Sequence, residues 1–326
     1  MTALYILIGL AIVYGILNGV NDSGNVVATI ISSRSMSPRL AVAMAAVAEF
    51  IGPFLFGVAV AKAIGEGLVS PQVMTLPVII AALIGAISWN IFTWMVSIPS
   101  SSSHALIGGI LGAVMVGVGW EHVIPSGLVK VLAALFVSPV AGLGVGFLFS
   151  KLVYFLARNA SLRINWFFKN TQVLTGLGLA LSHGANDAQK TMGIIGLGLV
   201  SSGVLSSFSV PTWVIAISAG AIALGTASGG YRLIRTLGGK FYKIRPVNGF
   251  CAQIGSAVVV LGAALLGGPV STTQVVSSTI VGVGAAERMS KVRWGVLGNI
   301  AIAWLLTIPI SGIISALVYF LLRSIF

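Results

Sequence analysis

Two aspartates, Asp22 and Asp187, are the only ones in the 326-residue chain. Each follows an asparagine inside a stretch that is otherwise apolar, "NGVNDSGN" at 18–25 and "SHGANDAQK" at 182–190. An ionised carboxylate at the centre of a bilayer costs at least about 2.5–3.5 kcal/mol on the lenient insertion scale, so its presence there points to a function. A single one could cap a helix end or reach the interface. Two, each preceded by Asn, fit that reading poorly. Asn21, Asn25, Asn186, Gln189 and Lys190 set amide and ammonium groups beside the carboxylates. The chemistry expected of Asn21, Asp22, Asn25, Asn186 and Asp187 is the holding of a coupling cation, sodium or a proton. The glycines Gly19, Gly24 and Gly184 predict a break in each helix at these motifs, with freed backbone groups lining the site.

A second pair of polar runs is "PSSSSH" at 99–104 and "PVSTTQ" at 269–274. Each starts with proline and supplies hydroxyls where a new apolar helix begins. The N-terminus of a helix presents unpaired N–H groups and the positive end of its dipole, which suits an anion. One hydroxyl suffices for an N-cap. Ser101, Ser102 and Ser103, matched by Ser271, Thr272 and Thr273, exceed that need and are expected to bind an anionic substrate, with Asp22, Asp187 and Gln189 in the same site.

Two carboxylates beside an anion repel it strongly where the dielectric is low. Binding becomes tolerable when cations or protons occupy the carboxylates, so the pattern implies an anion carried together with sodium or protons. A protonated oxyanion can also donate a hydrogen bond to a carboxylate. Phosphate can do so and sulfate cannot, and leaving a buried acceptor unpaired is a strong basis for rejection. The residues lean towards phosphate, with sulfate as the alternative.

The elements that position these groups follow from composition. The chain is 57% hydrophobic and 7% charged, with a mean hydropathy of +1.06. A soluble domain carries about a quarter charged residues. Apolar runs long enough to cross a hydrocarbon layer of roughly 30 Å recur throughout. The expected fold is an all-α polytopic membrane protein, surrounded by lipid bilayer, with ten spans near 3–31, 40–61, 75–98, 100–119, 127–157, 172–200, 211–230, 248–267, 271–286 and 294–322. The N-terminal apolar run lacks a basic leader and reads as the first span. Cys251 reads as a small buried side chain with no disulfide partner.

Basic residues gather in alternate connections: Arg34 and Arg39; Arg158, Arg163 and Lys169; Arg232, Arg235, Lys240, Lys243 and Arg245; Arg288, Lys291 and Arg293. The positive-inside rule puts these in the cytoplasm and both termini outside, in the cell (plasma) membrane. The net charge of +12 is then a cytoplasmic collar, and nucleic acid is not an expected partner.

The two polar motifs recur because the chain repeats. "VNDSGN" aligns with "ANDAQK" at an offset of 165, residues 51–65 with 224–238 at 173, and "PSSSSHALIGGILG" with "PVSTTQVVSSTIVG" at 170. Pro139 meets Pro309 at 170 as well. The expected organisation is a first repeat over 1–157, a cytoplasmic connector over 158–171 and a second repeat over 172–326. Five spans in each half make the repeats inverted, an arrangement that in secondary transporters places the substrate site where the halves meet.

At these residues the chain resembles the inorganic phosphate transporter (PiT) family. "NDSGNVVAT", "SPRLAVAMAAVAEFIG", "WNIFTWMVSIPSSSSHALIGG", "SHGANDAQKTMGIIGL", "RPVNGFCAQ" and "PVSTTQ" carry the resemblance over nearly the whole length. It implies a sodium- or proton-coupled symporter with phosphate bound between inverted repeats. It also implies re-entrant or broken hairpins at the serine motifs, no organic cofactor and a homodimer. Gln274 stands where the family's second serine motif commonly ends in His, which removes a titratable group. Some members of the family are similar to sulfate permeases.

An intramembrane serine protease is the rival enzyme, since Ser100–Ser103, His104 and an aspartate supply triad residue types. No G-x-S-x-G context appears, and the repeat sets Gln274 opposite His104. A passive anion channel is the other rival. His183 reads either as a proton carrier or as a packing histidine. Lys190 either balances charge at the site or reaches outward. Glu49, a carboxylate in an apolar span, is a further candidate. Trp89, Trp94, Trp213, Trp294 and Trp304 read as interface anchors or packing.

Overall fold

Each apolar run becomes a helix, because the backbone polar groups of a lipid-facing segment must be satisfied within the segment. The structure, a computed structural model, describes all residues except 97, 99, 162, 230–243 and 325–326; the side chains of 291, 296 and 299 are likewise undescribed. Among the described residues there are eleven α-helices. They are α1 (Thr2–Ser32), α2 (Pro38–Leu55), α3 (Ala59–Gly65), α4 (Leu76–Met95), α5 (Ser102–Gly117), α6 (Pro125–Leu156), α7 (Ile164–Ser201), α8 (Thr212–Ser228), α9 (Pro246–Leu265), α10 (Thr272–Glu287) and α11 (Trp294–Leu322). Most of the basic seventh connection, Arg232 to Lys243, lies outside the described residues, as does most of the 224–238 repeat block.

The ten expected spans correspond to these helices with three differences. The second is divided into α2 and α3 at residues 56–58, where Gly57 takes φ +79° and Pro53 has already removed one helical donor. The expected connector at 158–171 is helical from Ile164 onward. Phe168 in that first turn is buried, its ring 5.2 Å from that of Phe250 on α9, and aromatic packing extends the helix beyond the apolar run. The third difference lies at the Asn-Asp motifs, where the expected breaks are absent: α1 and α7 run unbroken through residues 18–25 and 183–190.

The glycines at those motifs serve close packing instead. A Cβ added to Gly19 on α1 would sit 2.2 Å from the carbonyl oxygen of Ile222 on α8, and one on Gly184 of α7 would sit 2.3 Å from that of Glu49 on α2. The converse contacts match: a Cβ on Gly225 would meet Ile16 O at 2.1 Å, and one on Gly52 would meet Leu181 O at 2.3 Å. Gly19 and Gly184 are repeat-equivalent, as are Gly52 and Gly225. The first helix of each half therefore packs backbone to backbone on the second helix of the other half. The later helices exchange in the same way, α5 against α11 and α6 against α10.

Among the described residues, six segments are long and apolar enough to cross a membrane: α1, α2, α4, α6, α9 and residues 300–322 of α11. Helices α5 and α10 have 16 residues each, about 24 Å of rise, which is short of a hydrocarbon layer of roughly 30 Å. Each follows a break at its serine motif, so the helix interruptions occur at the serine runs and not at the aspartates. Their N-termini, at Ser102 and Thr272, reach the flanks of α1 and α7 in the interior of the bundle.

Candidate functional site

The unbroken course of α1 and α7 puts residues three and four apart on one face. On α1 that face carries Asn18, Asp22 and Asn25; on α7 it carries His183, Asp187 and Lys190. The spacing is the same in both, and all six side chains are buried. Asn25 Nδ2 donates to Asp22 Oδ1 at 2.6 Å, and Lys190 Nζ donates to Asp187 Oδ1 at 2.6 Å. Across the halves, Asn18 Nδ2 donates to Asp187 Oδ2 at 3.3 Å, while His183 Nε2 lies 3.9 Å from Asp22 Oδ2 and 3.4 Å from Asp187 Oδ2. Each carboxylate is thus held by its own helix and faced by the other.

The two serine-run helices end on this pair. Thr272 Oγ1 bridges the carboxylates, 3.3 Å from Asp22 Oδ2 and 3.2 Å from Asp187 Oδ2. Thr273 Oγ1 donates to Asp22 Oδ1 at 2.6 Å and accepts from Asn25 Nδ2 at 3.0 Å. Ser102 Oγ donates to Asp22 Oδ2 at 3.4 Å. Tyr14 OH ties the same turn to α1 by donating to Ser102 O at 3.0 Å. The N–H-bearing ends of α5 and α10 and the two carboxylates therefore share one enclosed cluster.

Not every expected residue joins it. Ser101 and Ser271 are the N-caps of α5 and α10, accepting from the backbone N–H of His104 at 3.1 Å and of Gln274 at 3.3 Å. Ser103 Oγ donates to Val270 O at 2.8 Å, pinning one serine turn to the other. Gln189 looks away from the carboxylates; its Oε1 accepts from the N–H groups of Val60 and Ala61, 2.8 and 3.2 Å away, and satisfies the free end of α3. Asn186 Nδ2 donates to Gly268 O at 3.2 Å. Asn21 Oδ1 is buried with no hydrogen-bond donor. Helical phase explains these departures: positions 186 and 189 sit one residue before, and two after, the aspartate, off its face.

Other residues join unforeseen or with a role now fixed. Glu49 on α2 faces inward, with Oε1 2.9 Å from His183 Nδ1 and Oε2 accepting from Thr226 of α8 at 2.5 Å. His183 therefore stands between three carboxylates. Lys190 is buried and paired, not directed outward. His104 and Gln274, repeat-equivalent, face each other at 3.4 Å between Nε2 atoms. Trp89, read as an interface anchor or as packing, is buried, its indole N–H donating to Ser100 and Thr307 at 3.0 and 3.1 Å. Asn18, Tyr14 and Thr226 were not singled out from the sequence. The signal for Asn18 was present, since it stands four residues before Asp22 as His183 stands before Asp187. Asp22, His183 and Asp187 each place one ligand atom within 4.8 Å of the others, a spacing that could hold a metal ion.

Membrane-length helices in two repeats, with polar residues gathered at the centre of the bundle, make the build of a secondary transporter. The phosphate transporter family model matches the chain twice, over residues 18–168 and 157–315, and the chain belongs to that family. It is 46% identical over 320 residues to a probable low-affinity inorganic phosphate transporter of Rhizobium meliloti, covering 96% of this chain and 95% of that one. A protein of the same description from Bacillus subtilis is 41% identical, with 97% and 96% covered. Among solved structures, one described as the sodium-dependent phosphate transporter superposes with a TM-score of 0.90 at 27% identity, over all of both chains. The family is one of transporters and not of enzymes, so the serine runs are not protease nucleophiles.

Proposed function

We propose that the protein imports inorganic phosphate across the cell membrane in symport with sodium or protons. One observation carries the reading: the hydroxyl-bearing N-termini of α5 and α10 meet Asp22 and Asp187 in a single buried cluster. Ser102, Thr272 and Thr273, with the free N–H groups at those helix ends, are the proposed phosphate ligands. Asp22 and Asp187 define two equivalent cation positions, with Asn25 and Asn18 orienting the carboxylates. Hydroxyls that now donate to the carboxylates are free to turn to an anion once a cation or proton has taken over that task. The names of the relatives support phosphate as cargo.

The halves 1–157 and 172–326 are proposed to lie inverted in the membrane, with both termini outside. Five helical spans per half and the crossed packing of equivalent glycines support that arrangement. The resemblance to the family also supports a homodimer.

Labelled phosphate uptake into proteoliposomes, with sodium and pH gradients imposed separately, tests the coupling. One of the two gradients is expected to drive accumulation; uptake indifferent to both would overturn symport. Sulfate added in tenfold excess should leave phosphate uptake intact, because a fully deprotonated anion cannot donate to the carboxylates. Equal competition would make this a sulfate carrier. Counterflow against unlabelled phosphate is expected of a carrier and absent from a channel.

A further inference from the structure

The pseudo-twofold symmetry of the site fails at one charge. Asn18 and His183 are equivalent, Asp22 and Asp187 are equivalent, and Asn25 is equivalent to Lys190. At Asp22 the residue three places on is a neutral amide; at Asp187 it is an ammonium, bound at the same 2.6 Å and 0% exposed. We propose that Lys190 is a built-in cation that fills the second of two equivalent cation positions, leaving Asp22 as the one place where a transported cation binds. This rests on the symport reading above and specifies its stoichiometry.

The surroundings of the two carboxylates agree. Lys190 places a full positive charge on Asp187, where a second cation would be strongly repelled in a low-dielectric interior. Asp22 has only hydrogen-bond donors and the more distant His183. Buried amide oxygens without a donor are costly, and they are what a cation satisfies. Asn25, whose amide N–H is bonded to Asp22, keeps its Oδ1 without a donor, whereas at the equivalent place beside Asp187 Lys190 offers no such oxygen.

The substitution K190N restores the symmetric residue and frees Asp187. In proteoliposomes the wild type should show a Hill coefficient of about one for its coupling cation, and K190N a coefficient rising towards two, since the coefficient is bounded by the number of sites. A wild-type coefficient of two, or a K190N variant that exchanges phosphate with a coefficient still of one, would overturn the proposal. K190R, which keeps the charge, should keep a Hill coefficient of about one whatever its uptake rate. A second measurement does not depend on transport. Over a hundredfold sodium titration, the Tm of purified K190N should rise at least about 2 °C more than that of the wild type. D187N in the same background should abolish the gain. A sodium response no larger than that of the wild type overturns the proposal even if no phosphate moves at all. Lack of phosphate counterflow by the wild type would instead reject the transport reading. Should K190N not fold, K190Q takes its place in both measurements.

Discussion

Asp22 accepts from four side chains on three helices, Asn25, Ser102, Thr272 and Thr273, and so joins α1 to both serine-run helices. A carboxylate so surrounded tolerates loss of its charge better than loss of its shape. The isosteric D22N keeps an acceptor oxygen but removes the charge proposed to balance a cation. Uptake is expected to fall at least about a hundredfold, while Tm falls by no more than the roughly 1–3 kcal/mol of disturbed donors would produce. Uptake assays and thermal unfolding on the same preparation check this; D22N transporting at the wild-type rate would remove the central role of the residue. His183 shows how one buried side chain ties helices together: its ring reaches Glu49 of α2 on one edge and both aspartates on the other.

Helix packing depends on what the glycines leave out. Any side chain at Gly19 or Gly184 would strike the backbone of a partner helix, which cannot swing aside as a flexible side chain can. G19V and G184V should each destabilise by about 1–3 kcal/mol or more through overpacking, read as lower Tm and lower yield of folded protein. Gly9, on the same helix α1, has nothing within 4 Å of its added Cβ. G9A should be neutral or stabilising by up to about 1 kcal/mol. Equal effects at positions 9 and 19 would contradict the packing account. The same contacts explain why the Asn-Asp motifs do not break their helices. A glycine read from sequence permits a break or a close approach, and the partner helix, distant in the chain, decides for the latter.

Across the whole molecule the two halves are not equal, and the two directions out of the site differ. Towards the end bearing Arg34 and Arg245, Gln253 accepts from Thr175 at 2.5 Å and donates to Thr29 at 3.1 Å. One layer beyond, Gln172 accepts from Ser33 at 2.7 Å and donates to Pro246 O at 2.8 Å. The repeat-equivalent positions of Thr29 and Gln253 are Ile194 and Leu83, in the apolar core, and that of Thr175 is Leu10, packed against it. The basic collar predicts that the polar side is cytoplasmic. In a Cys251→Ala background, a cysteine at Ser126 should react with a membrane-impermeant maleimide on intact cells, whereas one at Asn159 should react only after permeabilisation. The reverse pattern would invert the topology.

Much of this was legible in the amino-acid sequence. Hydropathy determined the membrane class and all ten helical regions, because the bilayer imposes length and apolarity segment by segment. The recurrence of "ND" and of the serine runs determined that the polar motifs occur twice, and the hydrogen-bonding character of Asp22, Asp187, Thr272 and Thr273 followed from residue type. What only the tertiary structure decided was which of the neighbouring polar residues share that site. Asn18 and Glu49 enter it, while Gln189 turns to the end of α3 and Ser101 and Ser271 cap their helices. The reason is physical: a motif fixes composition along the chain, but the facing of a side chain is set by helical phase and by the partner helix packed against it. Those partners come from the opposite half, more than 120 residues away.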